Sequence, residues 1–308
     1  MHKQPLKQSP IDRIVQTIIS KLEEGVRPWR RNWDVIGSGR PCRSNGQPYR
    51  GINYFLLSMI GDSAGYTSPF WLTYKTAQSM GGQVRRGESA SPIMFYKSYS
   101  TTQQSEADDA GSEQNKRVLK CYSVFNAQQI EGLPAEFYPE VKIRERTHNL
   151  ALKPLVDDIV GATGAKISHG GDMAYYRPSS DSISMPTVEQ FHGYEQYVAT
   201  LMHELVHWTS HPSRCDRQLG KRFGDQAYAV EEAIAEMGAA TLCDAIGIPT
   251  DHMDDHASYL GGWMKILKAE PKALLTFAAK AEQAAAYIYP NLHGRLAADL
   301  EAEERDAA

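Results

Sequence analysis

TLMHELVHWTS, residues 200–210, sets two histidines four positions apart with a glutamate directly after the first. The run is predicted to lie on a helix from about Tyr194 to Thr209. At 3.6 residues per turn His203 and His207 then share a face and can reach one ion, while Glu204 sits about 100° further round. That position suits a group that takes a proton from an attacking water better than it suits a third ligand. His211 cannot complete the site, because eight residues of continuous helix place it about 12 Å from His203. The long metzincin motif is excluded as well, since Ser213-Arg214 and the residues after them supply neither its glycine nor its third histidine.

The third ligand is sought on a second helix, predicted from about Gln226 to Ile246. Its stretch AVEEAIAEMGAATL (229–242) puts Glu232 and Glu236 on one face, with Val230, Ile234 and Met237 free to face a core. Glu232 is read as the third metal ligand. Glu236 is read as the acceptor for the outer ring nitrogen of a ligand histidine, fixing its tautomer. Glu231 lies on another face and is expected in solvent. Tyr228, His256 and Tyr259 are candidate donors to an oxyanion. The plainer alternative is two ordinary helices, one histidine packed and the other solvated, with an exposed acidic face on the second helix.

This pair of segments, HELVH followed by EEAIAE, resembles the zincins, in particular the branch whose second motif reads N-E-x-x-S-D. The chain departs from that form with Glu231 for the asparagine and Glu236 for the aspartate. The resemblance implies one Zn2+, with another divalent transition metal as the alternative, held by His203, His207 and Glu232, Glu204 as the catalytic base, and a sheet edge beside the first helix where an extended peptide pairs. DMAYYRP (172–178) is the candidate edge.

At 308 residues with 42% hydrophobic content, the chain is long enough for two ordinary domains with real cores. No apolar run is long enough to span a membrane, and MHKQPLKQSP lacks the apolar stretch of a secretory signal, so a cytoplasmic location is expected. The four cysteines, Cys42, Cys121, Cys215 and Cys243, form no C-x-x-C pair and are expected as small buried thiols. The net charge of −4 conceals an uneven distribution. Residues 1–130 carry 17 Lys and Arg against 10 Asp and Glu, a net +7, whereas residues 131–308 carry 16 against 27, a net −11. Two domains with different partners follow from that contrast.

The fold class expected is α+β: an N-terminal α+β domain over residues 1–132, a linker over 133–150, a zincin-like domain over 151–290 and an acidic tail over 291–308. Ile11, Ile14, Val15, Ile18, Ile19 and Leu22 have amphipathic spacing, and Gly25 and Pro28 stop that helix. After an apolar run from Ile52 to Ile60 comes a helix predicted over Thr73–Met80, closed by Gly81-Gly82. PIMFYKSY and KRVLKCYSVFNAQQI read as paired strands. The stretch between them, TTQQSEADDAGSEQN (101–115), lacks large apolar residues and reads as a mobile loop. A helix near Leu152–Val160 and strand-like AKISH, MAYYRP and DSISMP open the second domain.

RPWRRNW places Arg27, Arg30 and Arg31 beside Trp29 and Trp33. QPYRGINYF, WLTYKT and QVRRG add Arg50, Asn53, Tyr54, Trp71, Lys75, Arg85 and Arg86. Cations for phosphates among rings for bases are what single-stranded DNA binding requires, although such rings are also common in cores. The ordered series YRGINYFLL, WLTYKTAQSMGGQVRRGE and LKCYSVFNAQQIEGL, followed by the metal motif, resembles the ArdC family of plasmid-borne antirestriction proteins from about residue 10 to 290. A similar module occurs in TraC-type plasmid primases. The resemblance implies a single-stranded-DNA-binding domain, a zinc metallopeptidase-like domain, and protection of incoming conjugative plasmid DNA from host restriction, with restriction enzyme subunits as substrate or target. Two rivals stand beside it. One is a non-enzymatic shield for DNA with a structural metal site; the other is metal-assisted cleavage of DNA, which favours clustered carboxylates holding two hard cations.

Overall fold

The amphipathic N-terminal segment forms helix α1, Pro10–Glu23, with Ile14, Val15, Ile18, Ile19 and Leu22 buried along one side. In the computed structural model the residues described are 10–24, 35–36, 40–101, 114–139, 142–143, 152–217, 226–248 and 257–292. After the short strand β1, Val35–Ile36, the apolar run becomes helix α2, Gly51–Ala64. It is apolar nearly all round because it is buried nearly all round, from Asn53 through Met59. Strand β2, Trp71–Thr73, leads into α3, Tyr74–Ser79, whose first turn is capped by Thr73 Oγ1 accepting from the Thr76 N–H at 3.1 Å.

Strand β3, Gln83–Val84, precedes the long pair β4, Ser91–Thr101, and β5, Gln114–Asn126. These two run antiparallel from Ser91 opposite Val124 to Thr101 opposite Gln114, and β2 joins the other edge of β5. The pairing expected from sequence is present and extends into both ends of the stretch read as a loop; residues 102–113 lie outside the described residues. Strand β6, Ile130–Glu131, pairs with β3, and β7, Lys142–Ile143, pairs with β1. The segment read as a linker contributes Leu133 and Phe137 to a small core with Leu72, Ala77, Ala127 and Ile130. Proline and charge obscured its buried positions.

The C-terminal half opens with α4, Lys153–Thr163, then β8, Lys166–His169, β9, Tyr175–Arg177, and β10, Ser182–Met185. In this sheet β10 is central, parallel to β8 and antiparallel to the edge strand β9. Among the described residues four α-helices follow: α5, Tyr194–Trp208; α6, Gln226–Ala245; α7, Ala257–Ala269; and α8, Ala273–Ile288. The acidic tail lies outside the described residues from position 293 onward.

Helix α6 packs between α5 and α8. The approach to α5 is close because position 238 is glycine: a Cβ there would stand 2.8 Å from Val206 Cγ2. Small buried residues on α8, Ala278, Ala281, Ala284 and Ala285, allow the same on the other side. One continuous apolar core runs through α1, α2 and α4–α8, so the two halves share an interior. Each large side chain sealed there contributes about 1.5–3 kcal/mol from area removed from water. A polar tie adds to the junction: Glu282 of α8 accepts from the Gly51 N–H at 3.2 Å, placing a carboxylate at the positive end of α2. All four cysteines are free, with Cys42 and Cys243 buried as expected but Cys121 and Cys215 only half-buried.

Candidate functional site

Helix α5 presents His203 and His207 side by side, their Nε2 atoms 3.1 Å apart. From α6, Glu232 brings Oε2 to 3.6 Å from His203 Nε2 and Oε1 to 3.5 Å from His207 Nε2. All three side chains are largely buried, at 11%, 12% and 6% exposure. Among the described residues this is the one group of histidine, cysteine and carboxylate side chains gathered as a metal ligand set, with its donor atoms within 4.8 Å of one another. Donors about 2.0–2.1 Å from a tetrahedral ion stand about 3.3 Å from each other, and the closest approaches between the three side chains, 3.1, 3.5 and 3.6 Å, are of that size. Two imidazoles with a carboxylate suit a borderline divalent metal. His211 stays apart, after the end of α5, bonded through Nδ1 to Ser213 Oγ at 2.8 Å.

Glu204 is buried at 7% exposure on the same helix, close enough for its charge to act on His207. Burial alone pushes the pKa of His207 down, but hydrogen bonds to Glu231 and Glu232, with the charges of Glu232 and Glu204, override it and raise the imidazole to about 10. Glu232 responds oppositely: burial raises its pKa, and the two histidines bring it well below the ordinary carboxylate range.

The expectation for Glu231 is overturned. It is 2% exposed, accepts from Arg217 through both oxygens at 2.8 and 3.0 Å, and lies 3.4 Å from His207 Nδ1. A helix wheel counts faces but not neighbours, and the face carrying Glu231 is covered by the segment after α5. Arg217 was missed altogether, since nothing local in SRCDRQ marks it as an interior residue. Glu236 is also buried, at 4%, one turn beyond Glu232, but the outer nitrogen of His207 goes to Glu231. Tyr228 stands one turn before Glu232 on α6 and is half-buried. His256 and the side chain of Tyr259 lie outside the described residues.

The nucleic-acid candidates divide sharply. Arg27, Trp29, Arg30, Arg31 and Trp33 lie outside the described residues. Asn53, Tyr54 and Trp71 are corrected to interior residues. Asn53 bonds the Met94 carbonyl at 2.7 Å and the Met94 N–H at 2.9 Å, tying α2 to β4. Tyr54 and Trp71 are each 2% exposed, so neither ring offers a face on which a base can stack. Tyr54 instead carries the Arg40 guanidinium at 4.5 Å from its centroid, and Trp71 packs with Tyr49, Leu57, Ile93 and Val124. Arg50 is half-buried at the start of α2. Lys75, Arg85 and Arg86 are exposed, Arg85 pairing with Glu88 at 2.9 Å. Tyr74 was overlooked: 43% exposed on α3 beside Lys75, its hydroxyl accepts from Gln78 and Gln83 at 3.4 and 3.3 Å. Its place next to a lysine in WLTYKT was the available signal.

A buried His-His-Glu set on two packed helices beside a short three-stranded sheet defines a zincin-like metal-binding protein, and comparison with known proteins agrees. Residues 154–281 match the family described as zincin-like metallopeptidase, and residues 8–125 match the N-terminal domain of anti-restriction factor ArdC. The metal-free crystal structure of the antirestriction protein ArdC from the R388 plasmid superposes with a TM-score of 0.76 at 37% identity, covering 92% of this chain and 97% of that one. The Mn(II)-bound structure of the same protein gives 0.75 at 34% identity, covering 94% and 100%. An uncharacterised protein of Sinorhizobium fredii is 32% identical across 92% of this chain and 93% of its own length. The chain belongs to the ArdC antirestriction family. Two Escherichia coli proteins named DNA primase TraC are 37% and 36% identical to it, but the chain spans only 26% and 19% of their lengths. No helix among the described residues is long and apolar enough to cross a membrane.

Proposed function

We propose that the protein binds single-stranded DNA through its N-terminal half and hydrolyses peptide bonds at a zinc centre in its C-terminal half, protecting incoming conjugative plasmid DNA from host restriction in the cytoplasm. The catalytic reading is carried by Glu204, a buried carboxylate beside the ligand set that a purely structural zinc site does not need. His203, His207 and Glu232 hold the ion. A divalent metal supplies Lewis acidity for the scissile carbonyl and acidifies a water at the centre. Glu204 takes the proton of the attacking water and returns it to the leaving amine. Glu236 acts as outer acceptor for His203, and Tyr228 is a candidate donor to the oxyanion. The edge strand β9, with Tyr175 37% exposed and Met173 before it 65% exposed, offers unpaired backbone for an extended peptide.

On the nucleic-acid side the support is the net +7 of residues 1–130 and the exposed group Tyr74, Lys75 and Arg86. Bringing a peptidase centre to DNA places it beside DNA-bound restriction enzyme subunits, its proposed substrates. The test pairs wild type with Glu204→Gln, incubating each purified protein with restriction enzyme subunits, with and without chelator, and following plasmid transfer into a restricting recipient. Fragments that need both the metal and Glu204, together with lost protection in the variant, support hydrolysis. Full protection by Glu204→Gln would replace it with the shielding role.

A further inference from the structure

The side chain of Arg217 makes four hydrogen bonds in the interior, and each joins the two helices of the metal site or secures the end of one. Two go to the carboxylate of Glu231 on α6, at 2.8 and 3.0 Å. The others go to the C-terminal turn of α5: the Val206 carbonyl accepts at 2.7 Å and Thr209 Oγ1 at 2.8 Å. Val206 immediately precedes His207, and Glu231 immediately precedes Glu232. The guanidinium therefore spans the backbone next to one ligand and the side chain next to another. Its planar fork fixes Glu231 in position and rotation, which a single point charge cannot do. Glu231 Oε1 in turn faces His207 Nδ1 at 3.4 Å, leaving Nε2 directed at His203 and Glu232.

We propose that Arg217 and Glu231 are positioning residues for the metal centre: Arg217 locks Glu231 against the end of α5, and Glu231 holds the ring of His207 with Nε2 turned inward. This deepens the reading of His203, His207 and Glu232 as ligands and rests on it. The bonds to Val206 and Thr209 serve the same end, because they fix the turn of α5 that carries His207 relative to α6. Removing either partner leaves a buried charge without its complement, so a loss of stability alone would say nothing about the metal.

The experiment measures binding of Mn(II) and of Zn(II) by the metal-stripped full chain, beside its melting temperature in chelator. The variants are Glu231→Gln, Arg217→Lys, and the double exchange Arg217→Met with Glu231→Leu. Each single variant is expected to weaken metal binding by about 10–100-fold, the usual cost of losing a partner that orients a metal ligand. The double exchange replaces the buried ion pair by apolar groups and is expected to bring the chelator melting temperature back toward wild type while metal binding stays weakened. Affinity within threefold of wild type in a folded single variant, or recovered together with stability in the double exchange, overturns the proposal and leaves the pair as a tie between helices. Wild type that binds neither metal overturns the ligand assignment itself, and with it this proposal.

Discussion

Gly238 on α6 lies against Val206 on α5 with no room for a side chain, a Cβ there falling 2.8 and 3.1 Å from the two methyl carbons of Val206. Val206 sits between two residues of the helix turn that carries the ligand histidines, is fully buried, and is stiff at χ1, so it cannot swing aside. Gly238→Val should therefore force the helices apart, costing about 1–3 kcal/mol through overpacking. The separation of His207 and Glu232 would grow with it. Thermal melting should show the loss, and calorimetric titration with Mn(II) should show weakened binding. Unchanged metal affinity in a destabilised variant would mean that the ligand spacing is set elsewhere.

Stability and metal uptake should depend on pH in opposite directions. His207 has a folded-state pKa of about 10, above the 6.5 of an unperturbed histidine. Its contribution to the metal-free fold is thus fully present below pH 6.5 and lost as pH rises through about 10. The same proton competes with a metal at the ring, so affinity for Mn(II) should rise over that range and binding should release protons. Melting in chelator between pH 6.5 and 10, with titrations in two buffers of different ionisation enthalpy, reads both. Metal binding without proton release at pH 7.5 would mean that His207 is neutral before the metal arrives, against the raised pKa.

Asp181 and Arg214 join the turn before β10 to the end of α5. Arg214 grips both oxygens of Asp181, lies 3.8 Å over the ring of Trp208 and donates to the Trp208 carbonyl at 2.7 Å. The hydrogen bond from Arg214 leads in lowering the pKa of Asp181, with burial opposing it. That stabilisation is present above the ordinary aspartate range and lost as pH falls through the lowered value. Asp181→Asn isolates the charge, because asparagine accepts the positive φ of 47° found there. The variant should melt below wild type at pH 7, and the gap should close as the pH is taken from 5 toward 2. A gap independent of pH would assign the effect to shape.

For DNA, the exposed ring and the buried one should behave differently. Tyr74→Ala removes a surface stacking platform, and about 1–3 kcal/mol of binding to single-stranded DNA should go with it at little cost to folding. Trp71→Ala opens a cavity in the core and should lower the melting temperature first, by about 3–5 kcal/mol of stability. Lys75→Ala with Arg86→Ala should weaken binding most at low salt and flatten its salt dependence by about 0.7 for each phosphate that is no longer neutralised. Fluorescence anisotropy with a labelled oligonucleotide at several salt concentrations distinguishes these. Full affinity in Tyr74→Ala would move the interface off α3.

Where the sequence was legible, the signal was periodic and local. The apolar spacing of residues 11–22 marked α1, the alternation around PIMFYKSY and LKCYSVF marked β4 and β5, and α5 and α6 end within a residue or two of where their patterns end. Helix α2 carried no usable period, since a helix buried on all sides shows no polar face. Helix α8 is hard to read for a related reason: its buried face is largely alanine, Ala278, Ala281, Ala284 and Ala285, and an alanine, Ala279, lies on its exposed side too.

By itself the sequence determined that His203 and His207 point the same way with Glu204 next to the first, and that Glu232 and Glu236 stand one turn apart on a second helix, because a helical turn is enforced by backbone hydrogen bonds within a few residues; that Glu232 meets the two histidines was decided by the packing of the two helices. Only the tertiary structure decided that Glu231 turns inward to Arg217, that Tyr54 and Trp71 are core rather than surface, and that Tyr74 remains exposed. These are questions of which element covers which face. The answer depends on close packing between residues far apart in the chain, which no local spacing encodes.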